Sequence, residues 1–244
     1  MVDLFLDTSV IINREFSDNQ EKIIEIENFL KEKNKLISTY VCMELNRTVL
    51  ADAETLKTYL CDCMNLEEIW ERIEALGNST RMKHRLGLIF HRIKEDVSDL
   101  YEARRIMEMW LRHYPSIILK EINVIPSKTD CEQGQYMPDY GCRGIKSLCR
   151  VPENVEKNKG LLKILQIELV QDVNKDRGKL DICWSLDEII NNPERTKENP
   201  RNCFNVGDIL IALDVPDNFT LISSDKDFFL ICEVLRISFY YIDP

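Results

Sequence analysis

An α/β fold built on an open parallel sheet is predicted by two observations. Short apolar runs near both extremities of the chain end on an acid followed or preceded by hydroxyls, and the long stretch between them is dominated by apolar residues stepping by three and four. The first run is Met1-Val-Asp-Leu-Phe-Leu-Asp-Thr-Ser9, and the last is Phe219-Thr-Leu-Ile-Ser-Ser-Asp-Lys-Asp-Phe228. In an open parallel sheet, ligands bind just beyond the carboxyl ends of the strands. Two such strands lying side by side bring Asp7 and Asp225 to one crevice, so metal-assisted chemistry is the first expectation.

The elements run in order. Residues 2–7 read as a buried strand, an apolar run too short for a helix. Residues 17–33 read as a helix, with Ser17 or Asp18 as its cap and Ile23, Ile26, Phe29 and Leu30 on one face. Residues 36–38 read as a second strand, and 40–50 as a helix carrying Glu44 about one turn in. Asp52 is placed to cap a helix whose stripe runs through Leu56, Leu60, Cys63, Trp70, Ile73 and Leu76. Gly77 then supplies a stop.

A second long helix is expected over about 81–114. Met82, Leu86, Ile89, Ile93, Val97, Leu100, Ala103, Met107 and Trp110 step by three or four throughout. Two such helices joined by a short loop would form an antiparallel hairpin over 52–114. A stripe of that length spans about 42 Å, more than a small α/β core needs, so part of it is expected to meet the helix at 160–173 or a second copy in a homodimer.

Residues 116–125 read as a strand, and 126–158, with its glycines and prolines, as a long loop. Helices are expected over 160–173 and 186–191, with a polar connection over 193–200. After that come helix 203–213, strand 219–223, helix 227–235 and a last strand, 237–242. Asp208 opens the helix at 203–213, where a carboxylate also meets the positive end of the helix dipole. An acid that begins a helix is ordinarily a cap; here the weight lies in four acids arriving in strand-end or helix-start contexts.

Composition narrows the classes. The chain has 244 residues, 44% of them hydrophobic, enough for a buried core. No stretch reaches transmembrane length and no signal-peptide pattern opens the chain, so a membrane location is not expected. Nine cysteines in no framework spacing point to a reducing, cytoplasmic setting. Cys131, Cys142 and Cys149 invite zinc, but their intervals of ten and six are not a Cys-x-x-Cys pair. The net charge of −10 opposes free nucleic-acid binding. A local basic face, or metal ions in an acidic pocket, would offset it.

The region 81–113 offers such a face, with eight Lys or Arg against five Asp or Glu, and with all three histidines, His84, His91 and His113. Arg81, Lys83 and Arg85 are the candidate RNA contacts. The plainer reading is a solvated helix face laced with i,i+4 pairs. His84 and His91, seven apart, could share a face, yet nothing else around them specifies a cleavage site.

Four pieces together resemble the PIN-domain nuclease family: Leu4-Phe-Leu-Asp-Thr-Ser-Val-Ile-Ile12, Glu44 in its helix, Gly207-Asp-Ile-Leu-Ile-Ala212, and Leu221-Ile-Ser-Ser-Asp-Lys-Asp-Phe228. The resemblance covers 1–50 and about 200–244. It implies a three-layer α/β sandwich with a central parallel sheet, a divalent-metal acidic pocket and endonuclease activity, usually on RNA. On this reading 1–50 and 200–244 are the PIN-like core, and 51–199 is a mainly helical insertion. Glu44 and Asp208 lie 164 positions apart, further than in compact members. Ser223 stands where the family ordinarily has Thr, keeping a hydroxyl.

Clustered carboxylates repel, and Mg²⁺ or Mn²⁺ satisfies them while keeping water ligands. Asp7, Asp208 and Asp225 are the expected direct ligands, with Glu44 direct or through water. Thr8, Ser9 and Ser223 are expected to orient carboxylates or phosphate. Asp227 is read either as part of the site or, preferably, as the cap of the last helix. An aspartyl phosphatase would have a second acid two residues after the first, where this chain has Ser9. A scaffold or RNA- or protein-binding module that keeps the fold but cuts nothing is the rival of another class. Within the nuclease reading, a toxin with an antitoxin partner and an RNA-processing or defence enzyme both remain open.

Overall fold

The structure, a computed structural model, describes residues 3–17, 19–77, 80–95, 97–129, 149–172, 178–197 and 200–243. By its internal contacts the chain divides into two compact units. One comprises 1–10, 32–44 and 122–244, the other 11–31 and 45–121.

The first unit holds the sheet. Among the described residues it has five strands: β1 (Asp3–Leu6), β2 (Lys35–Ser38), β3 (Asn123–Ile125), β4 (Phe219–Ser223) and β5 (Ser238–Tyr241). They are ordered β3-β2-β1-β4-β5, and every pairing is parallel. Leu4, Phe5 and Leu6 are all buried although successive side chains point to opposite faces, so β1 is covered on both sides as parallel sheets require. The α/β class is therefore observed. From β1 the chain builds outward to β2 and β3, and returns to β1's other side with β4. The reversal between β1 and β4 is the topological switch point where open sheets place their ligand crevice.

Among the described residues, five helices complete this unit, joined by α3 (Thr39–Leu45), whose last residue begins the second. They are α8 (Val151–Asp172), α9 (Gly178–Asn191), α10 (Pro200–Asn205), α11 (Gly207–Asp214) and α12 (Asp227–Leu235). Leu162, Leu165, Leu169, Leu186, Ile189, Ile209, Ile211, Phe228 and Ile231 line the interior. Lys128 closes the end of α11: its backbone N–H donates to Asp214 Oδ1 at 2.8 Å, and its ammonium donates to the Leu213 and Val215 carbonyls. A cation there complements the helix dipole.

The second unit is helical. It contains most of α1 (Thr8–Phe16), which starts in the sheet unit, and α2 (Gln20–Leu30). Beyond them come α4 (Ala51–Asp62), α5 (Leu66–Glu74), α6 (Thr80–Lys94) and α7 (Leu100–Ile118), with a π-helical turn over Asn46–Leu50. Ile26, Val49, Leu56, Leu60, Ile69, Ile73, Leu86, Phe90, Ala103 and Met107 form its core.

Several expectations are corrected. The hairpin over 52–114 is instead the succession α4, α5, α6 and α7. The stripe from Met82 to Trp110 is interrupted, because Ser98 and Asp99 start a new helix at Leu100. The Glu102 N–H donates to Asp99 Oδ1 at 2.9 Å, while the Ser98 N–H donates to the Glu102 carboxylate at 3.2 Å. This is a reciprocal cap. The single 42 Å stripe, and with it the argument for a homodimer through it, falls. Asp52 is no cap; it lies in the first turn of α4 and is buried. Asn19, not Ser17 or Asp18, caps α2; Asp18 itself lies outside the described residues. Residues 116–118 end α7, so the third strand is only Asn123–Ile125.

The stretch read as loop over 126–158 already contains the start of α8 at Val151. Pro152 sits in that first turn, where a missing N–H costs nothing. Helix 203–213 is two helices, α10 and α11. The division also differs from core plus insertion, since α8 and α9 belong with the sheet and α2 with the helical unit. No helix among the described residues is long and apolar enough to cross a membrane.

Candidate functional site

Register alone brings the first and last motifs together. Leu6 pairs with Ile222, so Asp7 follows β1 directly beside Ser223, and its N–H donates to the Ile222 carbonyl at 3.0 Å. Asp7 is 3% exposed. Its Oδ2 accepts from Ser9 Oγ at 2.6 Å, from the Ser9 N–H at 3.1 Å and from Ser223 Oγ at 2.8 Å. Ser9 Oγ also accepts from the Ser224 N–H at 3.0 Å, and Ser223 Oγ accepts from the Asp225 N–H at 2.9 Å. The two serines therefore lock the strand ends and aim one acid. This is the orienting role expected of Ser9 and Ser223.

Glu44 arrives on α3. Thr8 Oγ1 donates to Glu44 Oε2 at 2.5 Å. Farther along, the Tyr40 hydroxyl donates to the Cys203 carbonyl at 2.9 Å, tying α3 to α10 just ahead of Asp208. The Cβ position of Gly207 lies 3.6 Å from Glu44 Oε1, so α11 begins beside that carboxylate. In this way two acids 164 positions apart in sequence become neighbours.

Asp208, Asp225 and Asp227 are the tightest set. Each is half-buried and offers a carboxylate oxygen, and the three oxygens lie within 4.8 Å of one another. Asp208 is pushed well above the usual carboxylate range by burial and then by the charges of Asp7, Glu44, Asp225 and Asp227. Asp7 is also raised by burial, against the opposing hydrogen bonds from Ser9 and Ser223. All four sequence-predicted acids thus meet in one field.

Asp227 belongs with them, which reverses the preferred reading of it as a cap. Lys226 is the N-cap residue of α12 and its own side chain makes no capping hydrogen bond; the Asp227 N–H donates to Asp225 Oδ1 at 2.9 Å. The Asp227 carboxylate pairs with Lys179 Nζ at 3.6 Å. Lys179 was missed by sequence reasoning. It enters from α9, and nothing in Gly178-Lys-Leu-Asp181 marks it as a site residue.

The basic candidates are not in this cluster. Lys83 and Arg85 lie in α6 of the helical unit. Lys83 Nζ pairs with Glu74 at 2.7 Å, and Arg85 Nε with Asp52 at 2.5 Å. Arg104 is spent on a helix end, donating from Nε to the Leu60 carbonyl at 2.6 Å. The Arg81 side chain lies outside the described residues. His91 packs on Trp70, ring centroids 4.9 Å apart. Cys131 and Cys142 lie outside the described residues, and Cys149 is half-buried.

Oxygen donors at this density suit a hard divalent cation such as Mg²⁺ or Mn²⁺. The physical sign of fit is the gathering of three carboxylate oxygens within 4.8 Å, with four neighbouring acids all raising Asp208, a repulsion that a bound cation would relieve. Comparison of the chain with protein-family models, with curated proteins and with solved structures returned no match.

Proposed function

We propose that this chain is a divalent-metal-dependent nuclease that hydrolyses phosphodiester bonds, with RNA as its substrate and a PIN-like three-layer architecture around its sheet. The observation that carries the reading is the gathering of Asp208, Asp225 and Asp227 within 4.8 Å, inside the field of Asp7 and Glu44, at the switch point of a parallel sheet. RNA as substrate rests on the resemblance of the sequence to PIN-domain nucleases.

Asp208, Asp225 and Asp227 would hold Mg²⁺ or Mn²⁺, with Asp7 and Glu44 completing the negative field. When bound, such an ion makes water a stronger nucleophile and neutralises charge on the phosphoryl oxygens. The chain's own residues supply the rest. Ser9 and Ser223 hold the Asp7 carboxylate in place by donating to Oδ2. Thr8 fixes the Glu44 carboxylate in the same way. Lys179 brings a positive charge to the edge of the cluster at Asp227.

The test is cleavage of a panel of RNAs in Mg²⁺ and in Mn²⁺ by the wild-type chain, Asp7→Asn and Asp208→Asn, with Mn²⁺ binding measured by calorimetry. Cleavage that needs the ion and both acids is expected. RNA binding without cleavage under every condition would instead establish the binding-module reading.

A further inference from the structure

Directly after the acids, the chain exposes an aromatic side chain that core packing does not account for. Phe229, in the first turn of α12, is 53% exposed although it follows the buried Phe228. Its ring meets Phe239 edge-on with centroids 5.1 Å apart, and meets Tyr241 at 5.3 Å. Tyr241 closes β5 in register with Ser223, so it stands at the strand end that carries Asp225. Lys226, between Asp225 and Asp227, holds its ammonium 5.9 Å from the centre of the Tyr241 ring. Phe229 and Lys226 therefore lie within one turn of Asp227 along the chain, and the two supporting rings stand on the strand paired with the one that leads to Asp225.

We propose that Phe229, backed by Tyr241 and Phe239 and flanked by Lys226, is a stacking subsite for an unpaired nucleobase next to the bond that is cut. The occupant is committed by three features. Every nucleobase has a face that stacks on an aromatic ring, which makes such a platform tolerant of sequence. The ammonium of Lys226 complements a backbone phosphate, which the surrounding acids would repel. The platform adjoins the acids along the chain through Asp225, Lys226 and Asp227, and across the sheet through Tyr241, which pairs with Ser223 two residues before Asp225. On this proposal the stacked base directs its phosphate toward the cluster. A base paired within a duplex has both faces covered, hence the substrate is single-stranded. This rests on the nuclease reading, and adds to it a residue that positions the substrate.

The experiment uses a short single-stranded RNA containing 2-aminopurine, bound to the full chain in Ca²⁺, with the same strand annealed to its complement as the second arm. Quenching of the 2-aminopurine fluorescence is expected for the single strand, with much weaker binding of the duplex. Phe229→Leu keeps an apolar side chain against Phe239 but removes the ring. It should weaken single-strand binding about 5- to 150-fold, whereas Phe229→Tyr should bind as wild type. Melting temperature and Mn²⁺ binding should be unchanged in both variants. Absent quenching, equal binding of single strand and duplex, or wild-type affinity of Phe229→Leu would each overturn the subsite. RNA that is cleaved with the same KM by Phe229→Leu leaves the nuclease and removes the subsite. RNA that binds with quenching and is never cleaved leaves the subsite and removes the hydrolytic reading.

Discussion

Each unit of the molecule buries an acid, and the two acids are treated in opposite ways. Asp52 in the helical unit is 4% exposed and meets Arg85 at 2.5 Å, so its charge is answered by a side chain 33 positions away. Asp208 in the sheet unit is also taken from water, yet four further carboxylates press on it. Burial raises both, but the Arg85 guanidinium pulls Asp52 back down, while every neighbour that acts on Asp208 pushes it further up. The difference separates architecture from chemistry. An acid with its counter-charge built into the fold needs nothing further, whereas on the nuclease reading acids gathered against one another are answered by a cation from outside.

The comparison can be broken at several points. The largest effect is expected at the unanswered acid. Asp208→Asn should lower RNA cleavage by on the order of 10³-fold, as loss of a group that stabilises charge in the transition state does. The metal-free protein should melt at a higher temperature than wild type at neutral pH, because repulsion is removed. A variant that cuts normally would sink the site.

Arg85→Met should act the other way. It leaves Asp52 buried without its partner and should cost about 3 kcal/mol in urea denaturation. Arg85→Met combined with Asp52→Leu should recover most of that loss. If the single variant is as stable as wild type, the pairing is ornamental and the contrast between the two acids fails.

An intermediate effect is expected at the strand-end clamp. Ser223→Ala removes one donor to Asp7 and the acceptor of the Asp225 N–H, and should weaken Mn²⁺ binding about 10- to 100-fold with little change in fold. Unaltered calorimetry would assign the serine to packing alone.

The pH response separates the units more gently. The folded-state pKa of Asp208 is raised above its unfolded value, so its protonated form favours the native state. The stability it contributes is fully present below the unfolded value of 3.8 and is lost as pH rises through the raised value. Metal-free protein should therefore lose stability with rising pH across that window, Asp208→Asn should lose less, and Mg²⁺ should offset the loss. The smallest change belongs to Lys83→Ala, an exposed pair with Glu74 worth roughly 0.5 kcal/mol or less.

The acids were legible in the sequence because strand ends are punctuated. An apolar run stops at Leu6 or Ser223, and the residues after it must sit at the sheet's edge. The α/β class and the placement of Asp7 and Asp225 come from that punctuation, and Glu44 and Asp208 come from their places early in helices. Asp227 was misjudged because an acid in a first turn is ordinarily a cap, and only the backbone shows that its N–H serves Asp225. Lys179 was invisible because its role depends on where α9 packs, not on its neighbours in sequence. The long helix over 81–114 was misread because the three-and-four stepping carries across the break at Ser98. The reciprocal cap between Ser98, Asp99 and Glu102 was the available signal and was outweighed by periodicity. The basic edge was read from charge counts alone, whereas Lys83, Arg85 and Arg104 are each claimed by an acid or a helix end.

The register of β1 against β4 has a consequence for how the protein comes into being. Leu6 is synthesised 216 positions before its neighbour Ile222. Parallel pairing over such a separation closes slowly and late. Nascent chains that have not yet emerged past Asp227 hold Asp7 and Glu44 but no cluster to join them to. On the nuclease reading, the acidic cluster thus assembles only once Asp208, Asp225 and Asp227 have joined Asp7 and Glu44, and a growing chain that lacks them has no site with which to cut the message from which it is being read.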